Sequence, residues 1–237
     1  MYSRILIKLS GEALSGNGKS GILDDKALLS TAKAIKNVAD LGTQITIVIG
    51  AGNICRGAIL EKIGVDRVTG DYMGMLGTTI NCLALGDALN NLGLKTKVLS
   101  AVTIETFCEK YSPKLADKYL KQGYVVLFAA GTGKPFFTTD TCAALRAVEV
   151  KANAILIAKN GVDGIFDDDP RTNKKAKMFK EITCSEIIKR DLKVMDLSAV
   201  EMLKNKDIDV RVFNMAKSEN FVKVTRGEDV GTVIKKG

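Results

Sequence analysis

Four stretches decide the fold: Ile5-Leu6-Ile7-Lys8-Leu9, Ile45-Thr46-Ile47-Val48-Ile49, Val125-Val126-Leu127-Phe128-Ala129-Ala130 and Ala154-Ile155-Leu156-Ile157-Ala158. Each has the length and β-branched content of a strand, and Lys8 is the only charged residue in them. They are apolar almost without a break instead of alternating, which means burial on both faces. That is the signature of parallel strands covered by helices on either side.

The segments between these runs read as helices. After Asp24, a residue suited to capping, Leu28, Ala32, Ile35 and Ala39 recur at helical spacing, and Gly42 closes the segment. Residues 69–92 are apolar on most faces (Met73, Leu76, Ile80, Leu83, Leu89), as expected of a buried or interface helix. Further helices are expected at about 113–122, 141–150 and 219–224. Thr183-Cys184-Ser185-Glu186 reads as a capping box opening another. Residues 209–214 and 231–234 are candidate late strands. Strand and helix alternate without a repeat or flexible linker, so the expectation is α/β. It is one domain, 1–237, built as a three-layer α/β/α sandwich around a mostly parallel sheet.

Composition narrows the chemistry. The chain has 237 residues, 46% hydrophobic and 26% charged, enough for a sizeable core. No run approaches the ~18 apolar residues of a membrane span, and the N-terminus lacks a signal peptide's apolar stretch. A soluble cytoplasmic protein without a membrane partner is therefore expected. The five cysteines are widely spaced and the chain has no His, so a zinc site and a disulfide framework are both disfavoured. The same absence removes Ser-His-Asp and Cys-His catalysis. The net charge of +8 is adequately explained by small phosphorylated ligands. No nucleic-acid-binding motif or aromatic interleaving accompanies it, so nucleic acid is not expected as a partner.

Three strand ends run into glycine-containing loops: Lys8-Leu9-Ser10-Gly11-Glu12, Gly50-Ala51-Gly52-Asn53 with Arg56-Gly57, and Gly131-Thr132-Gly133-Lys134-Pro135 leading through Thr138-Thr139-Asp140 into a helix. Glycine lets the backbone approach a phosphate and aim its N–H groups inward, and a helix N-terminus adds partial positive charge. Open parallel sheets bind ligands at the carboxyl ends of their strands. Two phosphorylated ligands lying end to end fit this pattern. Gly16-Asn17-Gly18-Lys19-Ser20-Gly21 resembles dinucleotide and P-loop signatures, but lacks the preceding strand and the upstream glycine they require. Lys8 can balance charge on a transferring phosphoryl group, and Arg56 can clamp a phosphate. Asp71, Asp140 and Asp169 can bind a sugar hydroxyl, orient a lysine or help hold Mg²⁺. Phosphoryl transfer needs positioning and electrostatics more than a general base. The missing imidazole thus favours a phosphate acceptor, whose second pKa of ~6 leaves it largely ionised at neutral pH.

These residues resemble the amino acid kinase family and, within it, the bacterial UMP kinases. The resemblance runs from Arg4 to about Thr232. It is carried by 8–14, by Gly70-Asp71-Tyr72-Met73-Gly74-Met75-Leu76, by the 131–140 run, by Val162-Asp163-Gly164-Ile165-Phe166 with Asp169-Pro170, and by 192–197. It implies transfer of the γ-phosphate of ATP to UMP with Mg²⁺, in pyrimidine nucleotide synthesis. It implies catalytic roles for Lys8, Arg56 and Asp140. It implies ATP contacts at Lys8, Ser10, Gly11, Gly52, Arg56, Asn160, Phe166 and Asp169. For UMP it implies Ala51, Asp71, Thr132, Gly133, Lys134, Pro135, Phe136, Phe137, Thr138 and Thr139. The N-terminal part would then hold mainly UMP and the part from about 155 mainly ATP; the Mg²⁺ ligands are left open. Relatives imply a homohexamer inhibited by UTP and activated by GTP, although Gly86, Asn90 and Lys97 stand where some relatives carry effector-binding Arg or His. Ala51 stands where relatives commonly have Gly, and Ala tolerates positive φ poorly. A kinase acting on another substrate, or a nucleotide-binding protein without chemistry on the same fold, would share much of this pattern.

Overall fold

In the computed structural model, residues 1–16, 21–55, 57–170 and 172–237 are described; Asn17, Gly18, Lys19, Ser20, Arg56 and Arg171 lie outside that set. The first half of the chain runs β1 (Arg4–Leu9), α1 (Glu12–Ser15), α2 (Asp25–Ala39), β2 (Gln44–Ile49), α3 (Gly57–Lys62), α4 (Arg67–Asn91), β3 (Thr96–Ser100), β4 (Glu109–Lys110), α5 (Pro113–Lys121) and β5 (Val125–Ala129). It continues α6 (Thr139–Glu149), β6 (Ala154–Lys159), β7 (Glu181–Thr183), α7 (Cys184–Lys189), α8 (Leu197–Leu203), β8 (Asp209–Asn214), α9 (Glu219–Thr225) and β9 (Thr232–Lys235). The strands form one nine-stranded sheet in the order β4-β3-β5-β2-β1-β6-β8-β9-β7. All pairings are parallel except β8 with β9, so β9 and its neighbour β7 run opposite to the rest.

The four apolar runs occupy the centre of this sheet, where both faces need covering. Successive side chains point to opposite faces. Leu6, Val48, Phe128, Ile155 and Ile157 meet α5, α6, α7 and α8 on one side. Ile5, Ile7, Leu9, Ile47 and Leu156 meet α1, α2, α4 and α9 on the other. The expected three layers are therefore present.

Local signals set the helix ends. The Asp24 side chain accepts the N–H of Ala27 at 2.8 Å at the start of α2. Thr183 and Glu186 complete both halves of the capping box before α7. Ser112 caps α5 ahead of Pro113, whose missing N–H costs nothing in a first turn. Several boundaries move by one or two residues, and one move has a visible cause: Ala130, expected within the fifth strand, has already turned left-handed with φ of 59°. Its N–H is drawn instead to the Thr78 hydroxyl of α4 at 2.9 Å.

Candidate active site

The carboxyl ends of β1, β2, β5 and β6 converge, and the side chains there follow from register. Lys8 sits opposite Ile157 on the neighbouring β6. With the two-residue period of a strand, Lys159 therefore faces the same side of the sheet as Lys8. That side is covered by α6, whose first turn carries Asp140. The Lys8 ammonium lies 2.7 Å from Asp140 Oδ1, with the two side chains only 14% and 18% exposed. Asp140 Oδ1 is buried and, among the described residues, accepts no directed hydrogen bond, so it meets Lys8 as charge against charge. Burial, reinforced by the nearby Lys8 cation, holds the Lys159 ammonium below the usual lysine range, and the Asp140 carboxylate opposes that shift. Lys159 Nζ also donates to the Val194 carbonyl at 3.3 Å. Sequence reasoning missed Lys159. Its signal was present, because it ends a buried strand immediately before Asn160-Gly161, much as Lys8 precedes the first glycine loop.

The first two glycine loops pack directly on one another. A Cβ at Gly11 would fall 2.0 Å from Asn53 Oδ1 and 2.8 Å from the Gly50 carbonyl oxygen, so close approach, not a special φ, demands glycine there. The fully buried Asn81 of α4 donates to the Gly50 carbonyl at 2.8 Å and exchanges hydrogen bonds with Asn53 at 2.8 and 3.1 Å. Ala51 is not in the positive-φ region, which removes the expected strain at that position. Its methyl is accommodated by Gly77, where an added Cβ would come within 2.9 Å of it.

The third loop closes over a cavity of about 250 Å³. Ala51, Gly52, Asp71, Thr132, Lys134, Phe137, Thr138 and Thr139 line it, together with Cys55. Gly133, Pro135 and Phe136 belong to the body of the loop and not to this wall. Phe136, with φ of 68°, donates its N–H to Asp71 Oδ2 at 2.8 Å. Asp71 is held from its other side by Arg67 Nε at 3.2 Å. Thr138 caps α6 and hydrogen-bonds Asp196 at the start of α8.

A second cavity of about 500 Å³ opens beyond β6, lined by Phe166 and Asp169, and by Gly164, Ile165, Val212 and Lys159. Asn160 is exposed and does not line it. Lys159 and Asp140 also line a space of about 400 Å³ with Asp191 and Asp196. The lysine–aspartate cluster thus adjoins both cavities, through Thr139 next to Asp140 in the wall of the first and through Lys159 in the wall of the second. Ser10 is half-buried at the head of the first loop, and Arg56 lies outside the described residues. Among the described residues, no group of three or more His, Cys, Asp or Glu is placed to hold a metal ion, and no helix is long and apolar enough to cross a membrane.

The model of the amino acid kinase family matches residues 3–214. The chain belongs to the amino acid kinase family. A uridylate kinase of Streptococcus thermophilus is 48% identical to it over 233 residues, covering 98% of this chain and 95% of that protein. The solved UMP kinase of Bacillus anthracis superimposes with a TM-score of 0.96 at 38% identity, covering 99% of this chain and 96% of that one. That of Ureaplasma parvum gives 0.93 at 38% identity with both chains fully covered. Among amino acid kinases, then, this chain is most readily compared with those whose names specify uridylate.

Proposed function

We propose that this amino acid kinase transfers the γ-phosphoryl group of ATP to UMP, giving ADP and UDP for pyrimidine nucleotide and CTP synthesis. The observation that carries this reading is the Lys8–Asp140 pair, with Asp140 next to Thr139 in the wall of one cavity and sharing a space with Lys159 in the wall of another. The first of these cavities is walled by Asp71 and the 131–140 loop. The kinship with proteins named uridylate kinase supports the choice of acceptor.

UMP occupies the first cavity, with Asp71 on its ribose and the third loop around the base. ATP occupies the second, with Phe166 and Asp169 beside its nucleoside; Gly11, and Gly52 in the wall of the first cavity, lie toward the phosphates where the two nucleotides meet. An oxygen of the UMP phosphate attacks the γ-phosphorus, and the bond to the bridging oxygen of ADP breaks. The attacking phosphate, with a second pKa of ~6, is already largely ionised at neutral pH and needs no base. Lys8 and Lys159 stabilise charge on the transferring group, while Asp140 holds the two cations in place. Mg²⁺, when bound with ATP, would supply neutralisation of charge on its phosphates. Asp140 and Asp196, which line the 400 Å³ space, are the carboxylates that would help hold that cation. In this division the N-terminal part carries mainly the UMP site and the part from about 155 mainly the ATP site.

Incubating the protein with ATP, Mg²⁺ and each nucleoside monophosphate in turn tests the assignment. UDP should form fastest; no UDP, or faster turnover of CMP or AMP, would sink it. The cysteines provide an independent check. Cys82, Cys108, Cys142 and Cys184 are buried, whereas Cys55 is partly exposed and lines the first cavity. Burial also pushes the Cys142 thiol up to about 11. Native alkylation should therefore modify Cys55 first, and UMP should slow it; labelling that ignores saturating UMP would place UMP elsewhere.

The same reading carries a cytoplasmic homohexamer, with UTP inhibition and GTP activation as the two effector responses to be tested. The oligomer is supported by the exposed apolar residues Tyr72, Leu76 and Ile80 on α4, which are 50%, 57% and 43% exposed in the single chain. Size-exclusion chromatography and effector titration of the purified enzyme test these two points.

A further inference from the structure

Thr232 belongs to none of the cavities above, yet its hydroxyl does unusual work beneath one of them. It begins β9, is fully buried, and sits in antiparallel register with Val212 of β8. Its Oγ1 accepts the N–H of Ile165 at 2.9 Å and donates to the Phe179 carbonyl at 2.5 Å. Those two residues are the base of a hairpin-like segment, 165–179. It is zipped by Phe179 N–H to the Ile165 carbonyl at 2.8 Å and Asp167 N–H to the Lys177 carbonyl at 3.1 Å. The outgoing arm of that segment, from Ile165 to Pro170, forms a wall of the 500 Å³ cavity, and Val212 forms part of another. The packing beneath is close on both sides of the threonine. A Cβ at Gly164 would fall 2.6 Å from Thr232 Oγ1, and one at Gly231, whose φ is 72°, would fall 2.0 Å from the Val212 carbonyl oxygen.

We propose that Thr232 is a positioning residue for the donor nucleotide: its hydroxyl clamps both arms of the 165–179 segment and thereby sets the wall against which the ATP nucleoside lies. This rests on the assignment of that cavity to ATP. A hydroxyl serves both arms because it donates one hydrogen bond and accepts another. Valine has the same shape but does neither, leaving a buried N–H and a buried carbonyl without partners. The segment must then shift or open to hydrate them, and the displaced wall is the donor's alone. The first cavity is lined by neither arm. A residue that merely stabilised the fold would weaken both substrates' binding together.

The test compares Thr232→Val with Thr232→Ser, which keeps the hydroxyl. The valine variant should raise KM for ATP about tenfold, with KM for UMP within about twofold and kcat within about threefold; serine should restore the parent values. Thr232→Cys, a weak donor of similar size, should fall between them and serves if the valine variant does not fold. Equilibrium dialysis with ATP and Mg²⁺ supplies a readout independent of the acceptor. A parent that binds no ATP overturns the assignment of the cavity. A parent that binds it, with folded Val and Cys variants that bind it equally well, overturns the role of Thr232 alone. Equal rises in KM for ATP and UMP would also overturn it.

Discussion

Replacing Lys8 by methionine should lower kcat by about 10³-fold, some 4 kcal/mol of transition-state stabilisation, while UMP affinity changes little. Methionine matches the length of the lysine stem and can fill the same largely buried position, so the substitution removes charge more than it removes packing. Lys8 is 14% exposed and pairs with Asp140 at 2.7 Å, in surroundings where water screens little of its field. It does not line the 250 Å³ cavity, which is why UMP binding should survive. The measurement is steady-state kinetics with both substrates varied, together with equilibrium binding of UMP. An unchanged kcat would remove Lys8 from the chemistry, and a loss confined to KM for UMP would move it into the acceptor site.

Asp140→Asn should have the second largest effect, about 10²-fold in kcat at neutral pH, with a characteristic pH signature. The Lys159 ammonium is already held below the usual lysine range by burial and by the Lys8 cation, and the Asp140 carboxylate is the group that favours its charged form. Removing that negative charge lowers the Lys159 pKa further, because two neighbouring cations lose their common counter-ion. A lysine with a lower pKa sheds its proton at lower pH. The alkaline limb of the kcat profile should therefore move acidward in the variant. A limb that stays in place would show that Lys159 does not contribute as a cation. A limb that moves to higher pH would contradict the electrostatic arrangement itself.

How much of this could be read from residues alone varies from element to element. β1, β2, β5 and β6 were legible because strands buried on both faces must be apolar throughout. The helices were legible where a side chain terminates them, as Asp24 does for α2 and the Thr183–Glu186 box for α7. The edge was not. β4 is two exposed residues, Glu109 and Lys110, and β3 is Thr96-Lys97-Val98-Leu99-Ser100, with three of its five residues only partly buried. Such segments become strands because a neighbour offers unpaired backbone groups, which leaves little trace in their own composition. The reversed direction of β9 was likewise unreadable, since hydrophobic pattern carries no strand polarity.

The site divides in the same way. The glycine loops, Lys8, Asp71, Asp140 and the 131–140 run were visible as local strings. Ala51 was read as a potential source of backbone strain, and it carries none, because its φ lies outside the left-handed region; Gly77 of a distant helix makes room for its methyl. Lys159, Asn81 and Thr232 escaped notice, each for want of a partner adjacent in sequence. Lys159 meets Asp140 only through the register of β1 against β6, Asn81 reaches Gly50 from α4, and Thr232 reaches Ile165 across 67 positions.

Taken by itself, then, the sequence determined the layered α/β architecture and the phosphate-handling character of three loops. Burial and backbone approach impose their residue types locally. Only the tertiary structure decided which cations share one carboxylate, which glycines are required by a neighbouring loop, and which hydroxyl bridges Ile165 and Phe179. Those are contacts between residues far apart in the chain, and the physical terms that make them matter, desolvation and unsatisfied hydrogen bonds, exist only once the chain has closed around them.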